Sequence, residues 1–152
     1  MTSAPLSVPR LVARTVEISD PGPLLDLLPA DGPMTWLRRG EGLVAWGVAA
    51  VCRTSGESRF EDASTWWRSV VRVAAVADEV EVPGSGMVCL GSFAFADTPG
   101  DSVLVIPRVI VGRRADRCWV TTIGETAGEI PVLTPQEHPE AYARTSLITD
   151  AP

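Results

Sequence analysis

The chain has 152 residues, 45% of them hydrophobic and 21% charged, the make-up of one globular domain with its own core. A net charge of −6 and a pI near 4.7 leave no basic surface for phosphates, so nucleic acid is not expected as a partner. All 13 cations are arginine and lysine is absent, which excludes Schiff-base chemistry, a lysine general base and a phosphate-loop lysine, since each needs an amine that arginine does not supply.

In chain order, residues 1–10 are rich in Pro and Ser and read as a flexible N-terminus. Residues 11–18 form a first strand, followed by the turn Ser19-Asp20-Pro21-Gly22 and a short helix over 23–28, capped by Asp20 or Pro21 and stopped by Pro29. The β-prone runs 34–39 and 43–51 flank Gly40-Glu41-Gly42 and predict a hairpin with a tight glycine turn. From Ser58 the period changes. Phe60, Ala63, Trp67, Val70, Val71 and Ala74 recur at intervals of three and four, which predicts an amphipathic helix running to residue 76, with Ser58 and Glu61 as a capping box. Residues 80–82 read as a short edge strand and Pro83-Gly84-Ser85-Gly86 as a turn. The runs 87–95, 102–111 and 117–123 read as an antiparallel meander. Beyond Gly124 the chain is acidic, proline-containing and aperiodic, so 125–152 has the composition of a linker or tail. Strands, then one helix, then strands give an α+β fold: a mostly antiparallel sheet covered by one main amphipathic helix.

No candidate in this pattern assembles an active centre, and no catalytic, cofactor-binding or metal-binding residue is assigned. His138, the single histidine, lies between Glu137 and Pro139 and reads as a solvated tail residue. Gly84-Ser85-Gly86 followed by Gly91 fails the GxGxxG spacing at Cys89 and reads as a turn. Cys52, Cys89 and Cys118 are odd in number and widely spaced, so buried free thiols in a reducing compartment are expected. Trp66-Trp67 beside Arg68 offers a stacking surface, but Trp67 falls on the apolar stripe and Trp66 at its margin, which favours core packing. Arg113, Arg114 and Arg117 cluster around a turn and could hold an anion, although exposed turn arginines are the commoner case. Residues 1–14 contain no apolar stretch of signal-peptide length, and nowhere do about 18 apolar residues run together; a cytoplasmic protein without a membrane partner is expected.

Five blocks carry a family resemblance: Thr35-Trp36-Leu37-Arg38-Arg39-Gly40-Glu41-Gly42-Leu43-Val44-Ala45-Trp46-Gly47, then residues 60–67, then Gly91-Ser92-Phe93-Ala94-Phe95, then Ser102-Val103-Leu104-Val105-Ile106-Pro107-Arg108, then Trp119-Val120-Thr121-Thr122-Ile123-Gly124. In this order they resemble the opening portion of isochorismate synthases of the menaquinone or siderophore type, within the chorismate-utilising family that includes anthranilate, aminodeoxychorismate and salicylate synthases. The resemblance implies that residues 11–124 are an N-terminal scaffold, half of a larger α/β sandwich. Its partner is then a C-terminal chorismate-binding domain lying outside this chain. In that half the family carries a lysine that activates water, a glutamate that protonates the departing hydroxyl, and glutamates that hold Mg2+. None has a matching position here, so this section alone is expected to be inactive and to hold no cofactor of its own. Anthranilate synthases also bear a tryptophan feedback site built around an early Leu-Leu-Glu-Ser signature. Thr15-Val16-Glu17-Ile18-Ser19 departs from it, and tryptophan regulation is not expected. The other expectations left by the same residues are the N-terminal part of another chorismate-utilising synthase, or a stand-alone ligand-sensing or interaction module derived from the family.

Overall fold

The computed structural model describes residues 8–98 and 100–137. The chain folds as α+β, with one α-helix, a six-stranded sheet and a three-stranded sheet. Strand β1 (Val12–Ile18) follows the expected run. The short helix after it is a 3-10 turn, Leu24–Leu27, with no side-chain cap, because the Asp20 carboxylate accepts the amide of Gly22 at 2.9 Å instead.

The expected hairpin forms, with its turn moved by one residue. β2 (Met34–Arg38) and β3 (Glu41–Trp46) are joined by Arg39 and Gly40, both at positive φ, as the right-handed twist of a two-residue hairpin requires. The run expected to continue to residue 51 is two strands. It breaks at Gly47, whose φ of 71° turns the chain, and resumes as β4 (Ala50–Ser55) in the small sheet. The meander breaks in the same way. β6 (Leu90–Ser92) and β7 (Asp101–Ile106) belong to the small sheet, whereas β8 (Val109–Arg114) and β9 (Arg117–Gly124) belong to the large one. Buried Pro107, which has no N–H to give a ladder, stands at the break. The pairs Trp46 with Val109 and Ala50 with Ile106 flank the two breaks, so β3–β4 and β7–β8 form one long antiparallel ribbon bent from sheet to sheet.

Helix α1 (Arg59–Val73) stops three residues short of its expected end. Ala74 is extended, and Ala75–Asp78 is strand β5, lying parallel to β1 at the edge of the large sheet. The helical period of the sequence is overridden there by ladder bonds from the Ala75 and Glu79 amides to Leu11 and Thr15. The expected capping box is not formed: the Ser58 hydroxyl donates to Asp62 at 2.7 Å and caps no backbone amide. Residues 80–82, expected as an edge strand, are loop.

The large sheet runs β2-β3-β8-β9-β1-β5 and is covered on both faces. On one face Ala13, Ala45, Ile110, Trp119 and Ile123 share a core with Ala63, Trp66 and Val70 of α1 and with Cys52, Leu104 and Ile106 of the small sheet. On the other, Val44, Val111 and Val120 pack under Leu24, Leu27 and Leu28, with half-buried Ile130 and Leu133 against them. Each of these leucines stabilises the fold by about 1.5–3 kcal/mol relative to an exposed one. Residues 125–137 contain no helix or strand, and the Gln136 amide donates to the Asp26 carbonyl at 2.7 Å. Among the described residues, no helix is long and apolar enough to cross a membrane.

Gly112 and Trp119 face each other across the β8–β9 ladder, and a Cβ on Gly112 would fall inside the indole ring. Replacing Gly112 by Ala is therefore expected to lower stability by about 1–3 kcal/mol through forced displacement of a fully packed side chain; a shift of the urea midpoint with unchanged slope measures it.

Candidate functional site

Residues 79–89 link β5 to β6 by crossing the inner face of the large sheet, and their position is set by a chain of polar contacts. The Asp78 carboxylate accepts the Val80 and Glu81 amides at 2.9 and 3.1 Å through one oxygen and the Ser85 hydroxyl at 2.6 Å through the other. The Gly86 amide donates to Thr15 Oγ1, which lies 2.7 Å from Thr121 Oγ1 at the centre of the sheet. Trp119 Nε1 donates to the Gly84 carbonyl at 3.3 Å, and the Arg117 guanidinium donates to the Val80 carbonyl. Burial works against the Asp78 carboxylate. The Ser85 hydroxyl, the Glu81 and Val80 amides and the charge of Arg117 together outweigh it and hold the group below the usual aspartate range.

This pinned loop forms one wall of an open cleft of about 1050 Å³. The floor comes from β2, β3 and β8 with Trp36, Leu43 and Arg114, and the opposite wall from β6 and β7 with Leu90, Val103 and Val105. Cross-strand register explains the arrangement. Trp36 opposes Leu43 and Arg38 opposes Glu41, so an aromatic-aliphatic pair and a charged pair stand side by side on the inner face. Trp36, on an edge strand, is 75% exposed. Arg38 and Arg114 form no ion pair with any described residue, while Glu41 accepts the Ala115 amide at 2.9 Å. With Arg38 and Arg114 at its margin and one carboxylate, Glu41, between their strands, the apolar cleft has one positive charge in excess, which suits a small anion with an apolar body.

The structure separates the residues that the sequence placed together. Arg113 and Arg114 project to opposite faces of β8, as neighbours in a strand must. Arg113 is ion-paired with Asp20 and donates to the Gly22 carbonyl at 2.7 Å; Arg117 pairs with Glu17. Arg113 and Arg114 both border the cleft, but Arg113 is taken up by Asp20, and Arg117 stands away from the cleft on Glu17. The two tryptophans exchange their expected places: Trp66 is buried in the core and Trp67 lies at its margin. The turn Pro83-Gly84-Ser85-Gly86 forms as expected, closed by a bond from the Ser85 amide to the Val82 carbonyl at 2.9 Å. All three cysteines are free thiols; Cys89 lines the cleft, and burial raises its pKa, which disfavours the thiolate. His138 lies outside the described residues. Among the described residues, no three of His, Cys, Asp or Glu converge to hold a metal ion.

One organising residue was not singled out from sequence. Arg59, 6% exposed, donates to the Gly56, Ala94 and Phe95 carbonyls at 2.8, 2.9 and 3.1 Å and pairs with Asp97, fastening the 93–97 loop to the start of α1. The available signal was a cation in a first helical turn, where the helix dipole favours acids.

The family model described as Chorismate binding enzyme matches residues 29–137. No curated protein and no solved structure gives a match.

The loop wall carries a pH signature. Because the Asp78 pKa is lower in the folded state than in the unfolded one, its contribution to stability is complete above about pH 4, the unfolded value, and is lost as the pH falls through the folded value. Urea unfolding of the native chain and of Asp78→Asn should therefore differ most near neutrality, and the difference should shrink as the pH falls through the folded value of Asp78. Glu17 and Asp20, whose pKa values are also lowered, are common to both proteins and cancel in the difference.

Proposed function

The chain belongs to the chorismate-binding enzyme family, and from that premise we propose that it is the N-terminal, non-catalytic section of an isochorismate synthase. The observation that carries this reading is the absence of lysine from all 152 residues. Conversion of chorismate to isochorismate adds the oxygen of water at one ring carbon and expels a hydroxyl from another. The resemblance assigns activation of that water to a lysine and protonation of the leaving hydroxyl to a glutamate. Arginine cannot substitute for the lysine, because its guanidinium stays protonated at any pH the protein experiences. Magnesium, which the resemblance implies for the intact enzyme, finds no converging donor set among the described residues, and no step through it is assigned to them.

What this section contributes is shape. The five blocks of the resemblance are structural: the β2–β3 hairpin, the first half of α1, β6 with the loop held by Arg59, β7 with the Pro107 break, and β9 with Trp119. They build the bent ribbon and the cleft, and supply no proton-transfer pair. The catalytic lysine and glutamates then come from the C-terminal chorismate-binding domain, in a cytoplasmic enzyme of a menaquinone or siderophore pathway. The cleft favours a second reading, a non-catalytic ligand-sensing module, because Arg38 and Arg114 line it with Trp36 and form no ion pair among the described residues.

An assay of the purified 152-residue chain with chorismate and magnesium, beside the longest reading frame that contains it, separates these readings. No isochorismate is expected from the chain alone and steady turnover from the longer protein. Turnover by the chain itself would overturn the proposal, and saturable heat on titrating the isolated chain with a ring carboxylate such as benzoate would favour the sensing module.

A further inference from the structure

Helix α1 carries more apolar surface than its own fold covers. Arg59, Ala63, Trp66 and Val70 form the buried row. One position on, Phe60, Ser64, Trp67 and Val71 repeat the same spacing of four, three and four along the neighbouring face. Phe60 is 53% exposed, Val71 is 43% exposed and Trp67 is only half-buried. This second row has the spacing of a helix-packing seam. The aromatic surface continues past the helix start: Phe93 stacks on Phe60 with ring centroids 4.8 Å apart, and Phe95 beyond it is fully exposed. All three phenylalanines of the chain thus stand at the surface, on a loop and helix end held by buried Arg59.

The charges beside this seam decide what it fits. Along its solvent flank run Glu61, Thr65, Arg68 and Arg72, acidic at the N-terminal end and basic at the C-terminal end. Glu61 and Arg72 have no ion-pair partner among the described residues. They lie three turns apart, about 16 Å along the axis. In a parallel copy the two Glu61 residues would stand at one level on opposite sides of the seam, each three turns from the copy's Arg72. A copy related by a two-fold axis perpendicular to the helix runs antiparallel, which sets Glu61 against the copy's Arg72 twice over, places Phe60 by Val71, and brings Trp67 over small Ser64.

We propose that α1 is the seam of a two-fold dimer, in which the Phe60–Trp67–Val71 row packs antiparallel on the same row of a second copy and Phe93 and Phe95 clasp the end of the copy's helix. The 15-residue helix spans about 22 Å, so the contact is small and the dimer weak. Arg59 strengthens it indirectly, by holding the aromatic loop in place before the copy arrives.

Sedimentation of the 152-residue chain from low micromolar to several hundred micromolar tests this. A monomer–dimer equilibrium is expected. Glu61→Arg and Arg72→Glu each set like charges together at two places and should each raise the dissociation constant about tenfold or more. An equimolar mixture of the two variants should regain dimer, because the mixed pair restores opposite charges at both contacts. Val71→Gln should weaken association while leaving thermal unfolding of the monomer unchanged, which separates loss of the seam from loss of the fold. A chain that stays monomeric throughout, a mixture that fails to associate, or an association indifferent to both charge reversals would overturn the proposal; the last outcome would place self-association on the open edges of β2 or β5 instead.

Discussion

The architecture depends on one close approach. Trp119 lies flat across β8, at the position where Gly112 has no side chain, and its indole N–H ties down the Gly84 carbonyl of the loop above. If a larger residue stood at position 112, the ring would lift, the loop would lose its seat and the cleft its wall. The polar chain through Asp78, Ser85, Gly86 and Thr15 fastens the same loop from its other side. A loop that crosses a sheet face must satisfy its own backbone groups, and here Thr15, Asp78, Ser85 and Trp119 bond several of them. An apolar floor and a loop bonded at both ends of its turn give the concavity a defined shape.

A concavity of defined shape is what the proposed scaffold role asks of this section of a chorismate-binding enzyme. The cleft is walled by elements from both sheets, and the two sheets are parts of one ribbon bent at Gly47 and Pro107. Backbone geometry thus sets the angle between the two walls, and the side chains that pin the 79–89 loop set the third. Catalysis demands positioning within fractions of an ångström, and a bent continuous ribbon holds its two walls more firmly than two sheets joined by a flexible linker could.

Local chemistry made part of this legible in the sequence. The start of α1, the β2–β3 hairpin and the α+β order follow from hydrophobic period and turn residues, and they stand within one or two residues of where the pattern put them. The bend was not legible. Residues 43–51 and 102–111 are each an unbroken β-prone run, and a strand that changes sheets keeps the same alternation on both sides of the break, so periodicity cannot register it; Gly47 and Pro107 were the only marks. The end of α1 was missed because Ala74-Ala75-Val76 suits a helix as well as a strand, and only pairing with β1 decides between them. The arginines at 113, 114 and 117, read chiefly as exposed turn residues, are a different case. Once residues 109–114 are read as a strand, alternation already sends Arg113 and Arg114 to opposite faces, so that information was present and unused.

The same one-residue logic governs the helix. An error of one position in the phase of α1 exchanged Trp66 with Trp67, and the reason is that both rows at spacings of three and four are apolar. A helix with one apolar row has a single solution for its phase, whereas a helix with two has a buried row and a row left over, and the sequence alone does not say which is which. Arg59 breaks the tie. A guanidinium in the first turn opposes the helix dipole, and it persists there because three carbonyls and Asp97 surround it. Its row, shared with Ala63, Trp66 and Val70, must therefore face the protein, and the phenylalanine that follows it must face outward.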